Sequence, residues 1–336
     1  MRWGLCLAAA MAAILAAGTA HAAGPVKLRI AWITVPSSIA PILSLTPDLA
    51  PHLGKTYTVD AIHFNGSSPQ ITALADGQLD IGALSYSSFA VAIQNAHMSD
   101  LRVIADSLQD GVKQYSAPYV VRRDGPVKTI ADLKGKTIAV NVIGAGLDIG
   151  LRALLRRHGL EASRDYNVIE ANFFNQVSLL EQNKAQLITT IPVTDNNPKL
   201  KAIARPLFSL KDAMGGPTQI LMRVARESTI AKTRAAMVDY FEDEIRAWHW
   251  YLDPANRAAA LKIVASFTKR PAASFDPFTW KPDKDLYHDP DDLPNLAALQ
   301  RNFRTQKEAG FLKIDIDAKK YADLSIVKDA ARRLKH

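Results

Sequence analysis

The chain has 336 residues, a formal net charge of +8 and one cysteine, Cys6. A chain of this length can bury one or two hydrophobic cores without disulfide bonds. Its basic residues are scattered and accompany no zinc-finger, homeodomain or RNA-reader pattern, so nucleic-acid binding is not expected.

The first 22 residues have the features of a secretory signal peptide. Met1-Arg2 is a short basic start, a run of small apolar residues follows, and Ala20-His21-Ala22 is a small-x-small cleavage signal. The apolar run is shorter than the roughly 20 residues that span a membrane. Cleavage would leave Ala23 at the N-terminus of a periplasmic protein. It would also remove Cys6, which excludes thiol catalysis and cysteine-based zinc sites.

In the first part of the mature chain, predicted strands alternate with short predicted helices. This order favours a parallel sheet flanked by helices, with ligand-binding groups at the carboxyl ends of the strands. Ser68-Pro69 and Ser85–Ser88 are predicted helix starts, because serine is a common N-cap residue. The predicted strands are Lys27–Ile33, Tyr57–Phe64, Leu79–Leu84 and Leu101–Asp106, and the second helix continues over Phe89–Asn95.

The same order then starts again. Two extended apolar runs, Ala117–Arg122 and Thr218–Val224, flank this half of the chain. If each run crosses between lobes, the second lobe is an insertion between two hinge strands. The predicted strands are Thr137–Val142, Asn167–Ala171 and Gln186–Ile191, with helices at Leu147–His158 and Gln176–Asn183. Further helices are predicted at Thr229–Leu252, Asn256–Phe267, Leu293–Ala309 and Ala318–Tyr321.

The segment TIAVNVIGAGLDIGLRALLRRHGL, residues 137–160, contains a glycine turn, Gly144-Ala145-Gly146, between a strand and a helix. With Glu170 at the end of the next apolar run, this order is close to a dinucleotide-binding fingerprint. A helix N-terminus can equally bind a small anion through its backbone N–H groups. A plain tight turn without a ligand is the third interpretation.

Polar residues follow several predicted strands, which is where parallel-sheet proteins bind ligands. Their hydroxyl and amide groups suit sulfonate or carboxylate oxygens, although Ser87 is equally explained as a helix cap. Aromatic residues nearby could pack against an organic ligand or belong to the core. The candidate ligand-binding residues are Pro36, Ser37, Ser38, Asn65, Gly66, Ser67, Ser85, Ser87, Tyr119, Gly144, Ala145, Gly146, Phe174, Asn175 and Thr194.

Three segments resemble the periplasmic substrate-binding proteins of ABC importers, in the nitrate, taurine and aliphatic-sulfonate class. They are ALADGQLDIGALS, VKTIADLKGKTIAV, and a tail that runs from DPANRAAALKIVASFT through FTW to LQRNFRTQKEAGFLKIDID. Together they cover nearly all of the mature chain. The family's second lobe usually carries a glycine and an aspartate at one helix–strand corner, where this chain has Asn183, Ala185 and Gln186.

The resemblance implies an α/β fold, a two-lobed periplasmic binding protein of type II. Each lobe would be a mostly parallel sheet flanked by helices, and two hinge strands would join the lobes. The implied boundaries are 1–22 for the signal peptide, 23–117 for the first part of lobe 1, 118–218 for lobe 2, and 219–336 for the return to lobe 1 and the C-terminal helices.

The resemblance also implies a monomer that captures a small organic anion between its lobes and delivers it to the transmembrane subunits of an ABC permease. The class of ligand stays open between a sulfonate, a carboxylate that could be aromatic, a nitrate-like ion and a thiamine-pyrimidine precursor. An accessory sensor for a membrane receptor would have the same sequence features.

No complete catalytic motif is present in the sequence. Ser325-Ile326-Val327-Lys328 matches Ser-x-x-Lys, but the companion motifs of that enzyme class are missing. The histidines have no ligand-like spacing. The enzyme alternative is a relative of the thiamine-precursor synthases, which use a cysteine-containing motif. We therefore expect a binding protein that uses no cofactor and no metal.

The signal-peptide prediction can be tested directly on protein exported from cells. N-terminal sequencing should read Ala23 as the first residue, because cleavage follows the small-x-small signal. A cytoplasmic protein that retains Met1 would contradict the prediction.

Overall fold

The computed structural model describes residues 24–335, so the predicted signal peptide and Cys6 lie outside the described residues. Within this range the chain forms two α/β lobes. Among the described helices, none combines the length and the apolar character that crossing a membrane requires.

Lobe 1 begins with a parallel arrangement of strands. β1 pairs in parallel with β2, and Ile30 of β1 forms a parallel bridge with Ile81, just before β3. The elements of this first part are β1 (Val26–Trp32), β2 (Tyr57–His63), α1 (Gln70–Ala75), β3 (Gly82–Ser85), α2 (Tyr86–Gln94) and β4 (Leu101–Gln109).

Lobe 2 is built around a five-stranded sheet. The elements are β5 (Pro118–Arg122), β6 (Thr137–Val140), α3 (Gly146–Arg157), β7 (Asn167–Glu170), α4 (Phe173–Glu181), β8 (Leu187–Thr189), α5 (Pro192–Asp195), α6 (Pro198–Ile203), β9 (Ala204–Ser209) and α7 (Leu210–Met214). β6 lies between β7 and β8 and is parallel to both, whereas β5 is antiparallel to its neighbours β8 and β9.

The chain then returns to lobe 1 and ends in helices. β10 (Gln219–Arg226) is followed by α8 (Glu227–Leu252), α9 (Arg257–Thr268), α10 (Leu296–Glu308) and α11 (Ser325–Arg333). β10 lies between β3 and β4 and is antiparallel to both. Helices α8 and α11 pack together over one buried cluster with β1, whereas α10 belongs to a second cluster that includes residues of both lobes.

Both lobes have the same strand order. It is β2-β1-β3-β10-β4 in lobe 1 and β7-β6-β8-β5-β9 in lobe 2. In each sheet the antiparallel strand in the fourth place is the one that arrives from the other lobe. The chain crosses between lobes twice, in residues 110–117 and 215–218. The predicted α/β class and mostly parallel sheets are confirmed. The two apolar runs predicted to cross between the lobes instead form β5 and β10, each of which lies within one sheet directly after a crossing. The lobe boundaries themselves stay a prediction.

Helix starts differ from the prediction where a different side chain provides the cap. Helix α4 begins at Phe173, three residues before the predicted start, because the Asn172 side chain accepts a hydrogen bond from the Asn175 N–H. Ser85 caps α2 by accepting from the Ser88 N–H. A residue that satisfies the unpaired N–H groups of the first turn sets the helix start.

Some predicted elements were wrong, and some elements of the structure were not predicted. Ser68 does not cap α1, whose N-cap position is Pro69. Ala318–Tyr321 is a turn, and the C-terminal helix lies after it. Strand β9 and the short helices α5 to α7 were not predicted, because four- to six-residue elements carry too few residues to show a periodicity.

A buried ion pair ties the returning strand to the helical layer. Arg223 Nη2 of β10 lies 3.0 Å from Glu244 Oε1 of α8, both side chains are 2% exposed, and Arg223 also donates to the carbonyl of Ala31 at 3.0 Å. Burial by itself lowers the pKa of Arg223. Glu244, through its charge and its hydrogen bond, together with Tyr240 and Asp292, raises the pKa above its usual value, so the guanidinium stays charged. One side chain therefore joins β1, β10 and α8.

Loss of this arginine should be costly. Arg223→Met would leave the Glu244 carboxylate buried without its partner, and we expect a loss of about 3–5 kcal/mol in the free energy of unfolding. The matched control is Arg234→Met, whose pair with Asp329 is 39% and 35% exposed and contributes below about 1 kcal/mol. Denaturant unfolding followed by circular dichroism measures both, and equal effects would contradict the prediction.

Candidate functional site between the two lobes

The helices of both lobes begin around a common cavity of about 70 Å³, which we call the inner cavity. The first residues or N-caps of α2, α3, α4 and α5 line it, so the positive ends of four helix dipoles surround it. None of its lining residues carries a formal charge. They are Ile33, Thr34, Gly66, Ser67, Ser85, Leu108, Ala117, Asn141, Ala145, Gly146, Leu147, Phe173, Ile191, Ile220, Leu221 and Leu286.

The first turn of α3 supplies free backbone donors to the inner cavity. The N–H groups of Gly146, Leu147 and Asp148 find no acceptor among the described residues, and the first two of these residues line the cavity. An anion at such a position is stabilised by roughly 0.3–2 kcal/mol. The turn can therefore hold a small anionic group without a cationic side chain.

Glycines in both lobes let this turn touch lobe 1. A Cβ atom added to Gly146 would lie 3.1 Å from the Ser85 Cβ and 3.2 Å from the Tyr86 ring. In lobe 1, a Cβ added to Gly66 would lie 2.7 Å from a Val142 methyl group. A side chain at Gly66 would force a shift of Val142, and one at Gly146 would require its lobe 1 neighbours to move by a few tenths of an ångström, so the close contact favours glycine at both positions.

Two buried tyrosines hold the same turn from behind. Tyr86 of α2 donates to the carbonyl of Gly146 at 2.5 Å, and Tyr119 of β5 donates to the carbonyl of Leu147 at 2.7 Å. Burial raises the pKa of both hydroxyls well above the usual value, so they remain protonated donors. Tyr119 is thus placed beneath the helix, not against a ligand as predicted.

A cluster of serines covers the lobe 1 side of the cavity. Ser67 Oγ donates to Ser85 Oγ at 2.9 Å and lies 2.8 Å from Ser88 Oγ, while Ser87 Oγ donates to the carbonyl of Gly144 in lobe 2 at 2.9 Å. All of these hydroxyls are buried, and within the described part of the chain they bond to one another and to backbone groups. Among residues 24–335, no histidine or carboxylate accepts from them, and such a partner is what activates a serine nucleophile.

At Gly144, the first residue of the glycine turn, the structure differs from the predicted role in anion binding. Gly144 has a φ of +80° and donates its N–H to Asp148 Oδ2 at 2.8 Å, so this donor is not free for a ligand. Glu170 accepts from the N–H of Ile143 at 2.9 Å. A nicotinamide site does not fit this arrangement. In such a site the acidic residue binds a ribose and the glycines approach a pyrophosphate. Here Glu170 binds the backbone of its own lobe, and Gly146 packs against lobe 1.

Asn141, which follows β6, is a site residue that the sequence analysis missed. Its Nδ2 donates to the carbonyl of Asn65 at 3.3 Å, which crosses between the lobes. Its Oδ1 is buried and has no hydrogen-bond partner among the described residues, although the residue lines the inner cavity. A buried acceptor without a donor costs roughly 1–3 kcal/mol. The site therefore favours a ligand that brings an N–H or O–H group.

A larger cavity of about 610 Å³, the vestibule, lies outside the inner cavity. The two cavities are adjacent, because they share four lining residues. We call this shared wall the neck, and it consists of Ile33, Thr34, Phe173 and Ile191. Aromatic side chains line the vestibule, among them Trp32, whose ring centroid is 4.4 Å from that of His63. The remaining vestibule residues are Val35, Asn65, Asn172, Phe174, Asn175, Val193, Phe267, Thr268, Arg270 and Phe275.

The structure brings eight of the fifteen predicted residues to these two cavities: Asn65, Gly66, Ser67, Ser85, Ala145, Gly146, Phe174 and Asn175. Seven do not line either cavity: Pro36, Ser37, Ser38, Ser87, Tyr119, Gly144 and Thr194. The wall after β1 is formed by Ile33, Thr34 and Val35, because the strand ends one residue earlier than predicted. Thr194 instead bonds to the backbone of Ile191 at the start of α5.

The lining residues from the C-terminal half, such as Ile220, Phe267, Arg270 and Leu286, were also missed. They lie far along the chain from the glycine- and serine-rich strand ends that mark the rest of the site. No local motif distinguishes them from ordinary core or surface residues.

One group of side chains in the described range has metal-like geometry, with ligand atoms of His52, Asp239 and Glu242 within 4.8 Å of one another. The carboxylates already pair with arginines: Glu242 with Arg246 at 2.7 Å and Asp239 with Arg333 at 2.7 Å. A cation would have to compete with both arginines. The arrangement favours a structural role that fastens α11 to α8.

Residues 43–190 match the family model described as "ABC transporter, phosphonate, periplasmic substrate-binding protein". Solved structures share the fold over nearly the whole chain at low sequence identity. The alkanesulfonate-binding protein SsuA from Xanthomonas axonopodis pv. citri, bound to MOPS, is 18% identical with a TM-score of 0.68, and the alignment covers 90% of this chain and 99% of that one.

The periplasmic nitrate-binding protein NrtA from Synechocystis PCC 6803 is 12% identical with a TM-score of 0.68 and covers 93% of this chain and 89% of its own. A variant of the desulfurization enzyme DSZB in complex with biphenyl-2-sulfinic acid is 13% identical, with a TM-score of 0.59 and coverage of 91% and 99%. Binding proteins and an enzyme thus share this fold.

Proposed function

We propose that this chain is a substrate-binding protein of an ABC importer, in line with the family model that matches residues 43–190, and that it captures a small organic anion between its lobes and delivers it to a membrane permease. The anionic group would occupy the inner cavity, and the organic part would pass through the neck into the vestibule. The free N–H groups of the first α3 turn are the observation that carries this proposal.

Neutral donors would recognise the anionic group. The N–H groups of Gly146 and Leu147 would reach it from lobe 2. The hydroxyls of Ser67 and Ser85, which bond to one another on the facing wall, would have to turn toward it. A cavity without a cationic side chain is compatible with an anion, because hydrogen bonds to a charged group are about twice as strong as neutral ones. Because the donors belong to both lobes, the solute loses part of its hydrogen bonds and can leave when the lobes separate.

The site favours binding over catalysis. Its serine hydroxyls have no basic partner, and the nearest vestibule histidine, His63, lies with Nε2 3.2 Å from the carbonyl of Ile33. An enzyme in the manner of DSZB is the alternative, since that protein has the same fold. Mass spectrometry of a bound solute separates the two, because a binding protein returns it unchanged.

Lobe motion would accompany binding. We place the hinge in the two crossings near residues 110–117 and 215–218, next to the boundaries at 118 and 218 expected from the sequence. The crossings lie side by side, since the Asp110 N–H donates to the carbonyl of Thr218 at 2.8 Å. Paired segments of this kind allow one lobe to rotate against the other.

A phosphonate is the second candidate ligand, and Asn141 is the observation that favours it. A singly protonated phosphonate presents both acceptor oxygens and one O–H donor, and the donor could satisfy the buried Oδ1 of Asn141. A sulfonate has no such proton. The family model that matches residues 43–190 is that of phosphonate-binding proteins.

A thermal-shift series on the mature protein tests the ligand class. We expect stabilisation by benzenesulfonate or phenylphosphonate, since a ligand at 100 times its Kd adds about 2.7 kcal/mol to the stability. A larger shift with phenylphosphonate that disappears in Asn141→Val would favour the phosphonate. If nitrate, sulfonates, phosphonates and carboxylates all leave the melting temperature unchanged, the proposal is wrong.

Uptake of the solute by cells, compared with uptake by a deletion strain, distinguishes transport from a sensor role.

Substitution at Ala145 tests the position of the anionic group. Ala145 is the N-cap of α3, lines the inner cavity and has extended backbone angles that suit aspartate. In Ala145→Asp, the carboxylate would cap the free N–H groups and repel the ligand, so binding should weaken at least tenfold, about 1.4 kcal/mol.

Ala145→Asn is the matched control, since it offers a similar cap without the charge. Titration calorimetry should find the asparagine variant closer to the parent protein than the aspartate variant, while the ligand-free stability of both is retained. Equal affinity in the folded aspartate variant would show that the turn does not meet the ligand.

A further inference from the structure

The vestibule contains a cation without a charged partner. Arg270 lies two residues beyond the end of α9, between Lys269 in the left-handed conformation and Pro271. Its guanidinium carbon is 3.8 Å from the ring centroid of Phe174, which belongs to the first turn of α4 in lobe 2. Within the described residues, Arg270 has no carboxylate within 4.0 Å and makes no hydrogen bond.

Stacking on an aromatic ring holds the guanidinium in place without using its donors. An aromatic ring that lies against a guanidinium carbon occupies a face of the group and leaves its five N–H donors available to other partners. These donors match a carboxylate, sulfonate or phosphonate, which arginine binds with two parallel hydrogen bonds. Arg270 is also the only residue among those lining either cavity that carries a full charge independent of pH.

The position of Arg270 fits the far end of an elongated ligand. The inner cavity lies on one side of the neck, and the residues that surround Arg270 lie on the other side, in the vestibule. The inner cavity is too small for more than a head group, whereas the vestibule is large enough for an aromatic ring. A ligand anchored at the α3 turn would therefore extend toward the arginine.

We propose that Arg270, held by Phe174, is a specificity-determining residue that binds a second acidic group on the ligand. The preferred solute is then a bifunctional acid, with one anionic group in the inner cavity, an apolar or aromatic body in the neck and vestibule, and a second anionic group at Arg270. This proposal rests on the proposed function, because it assumes that the first acidic group binds at the α3 turn.

A different role for the same contact is a latch between the lobes. Arg270 belongs to lobe 1 and Phe174 to lobe 2, so their stacking could stabilise the closed arrangement for any ligand. The two roles differ in a measurable way. A latch affects all ligands by the same factor, whereas a binding residue affects only ligands that carry the second acidic group.

The test compares 4-sulfobenzoate with 4-methylbenzenesulfonate, which has a neutral methyl group in place of the carboxylate. Titration calorimetry on the mature protein should find 4-sulfobenzoate bound at least tenfold more tightly. In Arg270→Gln this preference should fall below threefold, with little change for the methyl compound. The matched control is Lys269→Asn, which removes an adjacent exposed cation outside the vestibule lining and suits the left-handed conformation. It should keep the preference.

Three results would overturn the assignment. They are equal affinities in the parent protein, an equal loss for both compounds in Arg270→Gln, and the same loss of preference in Lys269→Asn, which would indicate a general effect of charge. If the parent protein binds neither compound while another class of solute stabilises it, the proposed ligand class fails, and the assignment of Arg270 fails with it.

Discussion

The contact between the first turn of α3 and lobe 1 is the constraint on which the rest of the site depends. The turn approaches so closely that a single methyl group at Gly146 would lie about 3.1 Å from Ser85. Glycine is required here for space and not for its backbone freedom, since the positive φ belongs to Gly144. A side chain in this contact would change the distance between the lobes and therefore the shape of the cavity.

Around this contact, some backbone groups of the turn have hydrogen-bond partners within the protein and others do not. Tyr86 and Tyr119 bind its carbonyl groups, and Asp148 takes the N–H of Gly144. The N–H groups of Gly146 and Leu147, two residues that line the cavity, have no acceptor among the described residues. Donors that are already oriented lose little entropy when a ligand arrives, which favours affinity without a cationic side chain.

The neck separates the uncharged inner cavity from the vestibule, which contains a charged side chain. The inner cavity has oriented neutral donors in walls that are otherwise apolar, whereas the vestibule has aromatic surfaces and the charge of Arg270. A charged side chain inside the small cavity would need its own partner, as Arg223 needs Glu244. Charge at the vestibule costs less, because Arg270 is exposed to water.

The sequence by itself determined the α/β class, the mostly parallel sheets and the glycine- and serine-rich strand ends that line part of the two cavities. These features depend on local patterns, such as an apolar run followed by Gly144-Ala145-Gly146, which hold wherever the segment lies. Only the tertiary structure decided which of those residues line the two cavities. Tyr119 went beneath α3 and Thr194 turned back to its own helix, while Asn141 and Arg270 came to the cavities from segments without a motif. The physical reason is that a site between two lobes is defined by packing across long separations in the chain, and local patterns do not contain that information.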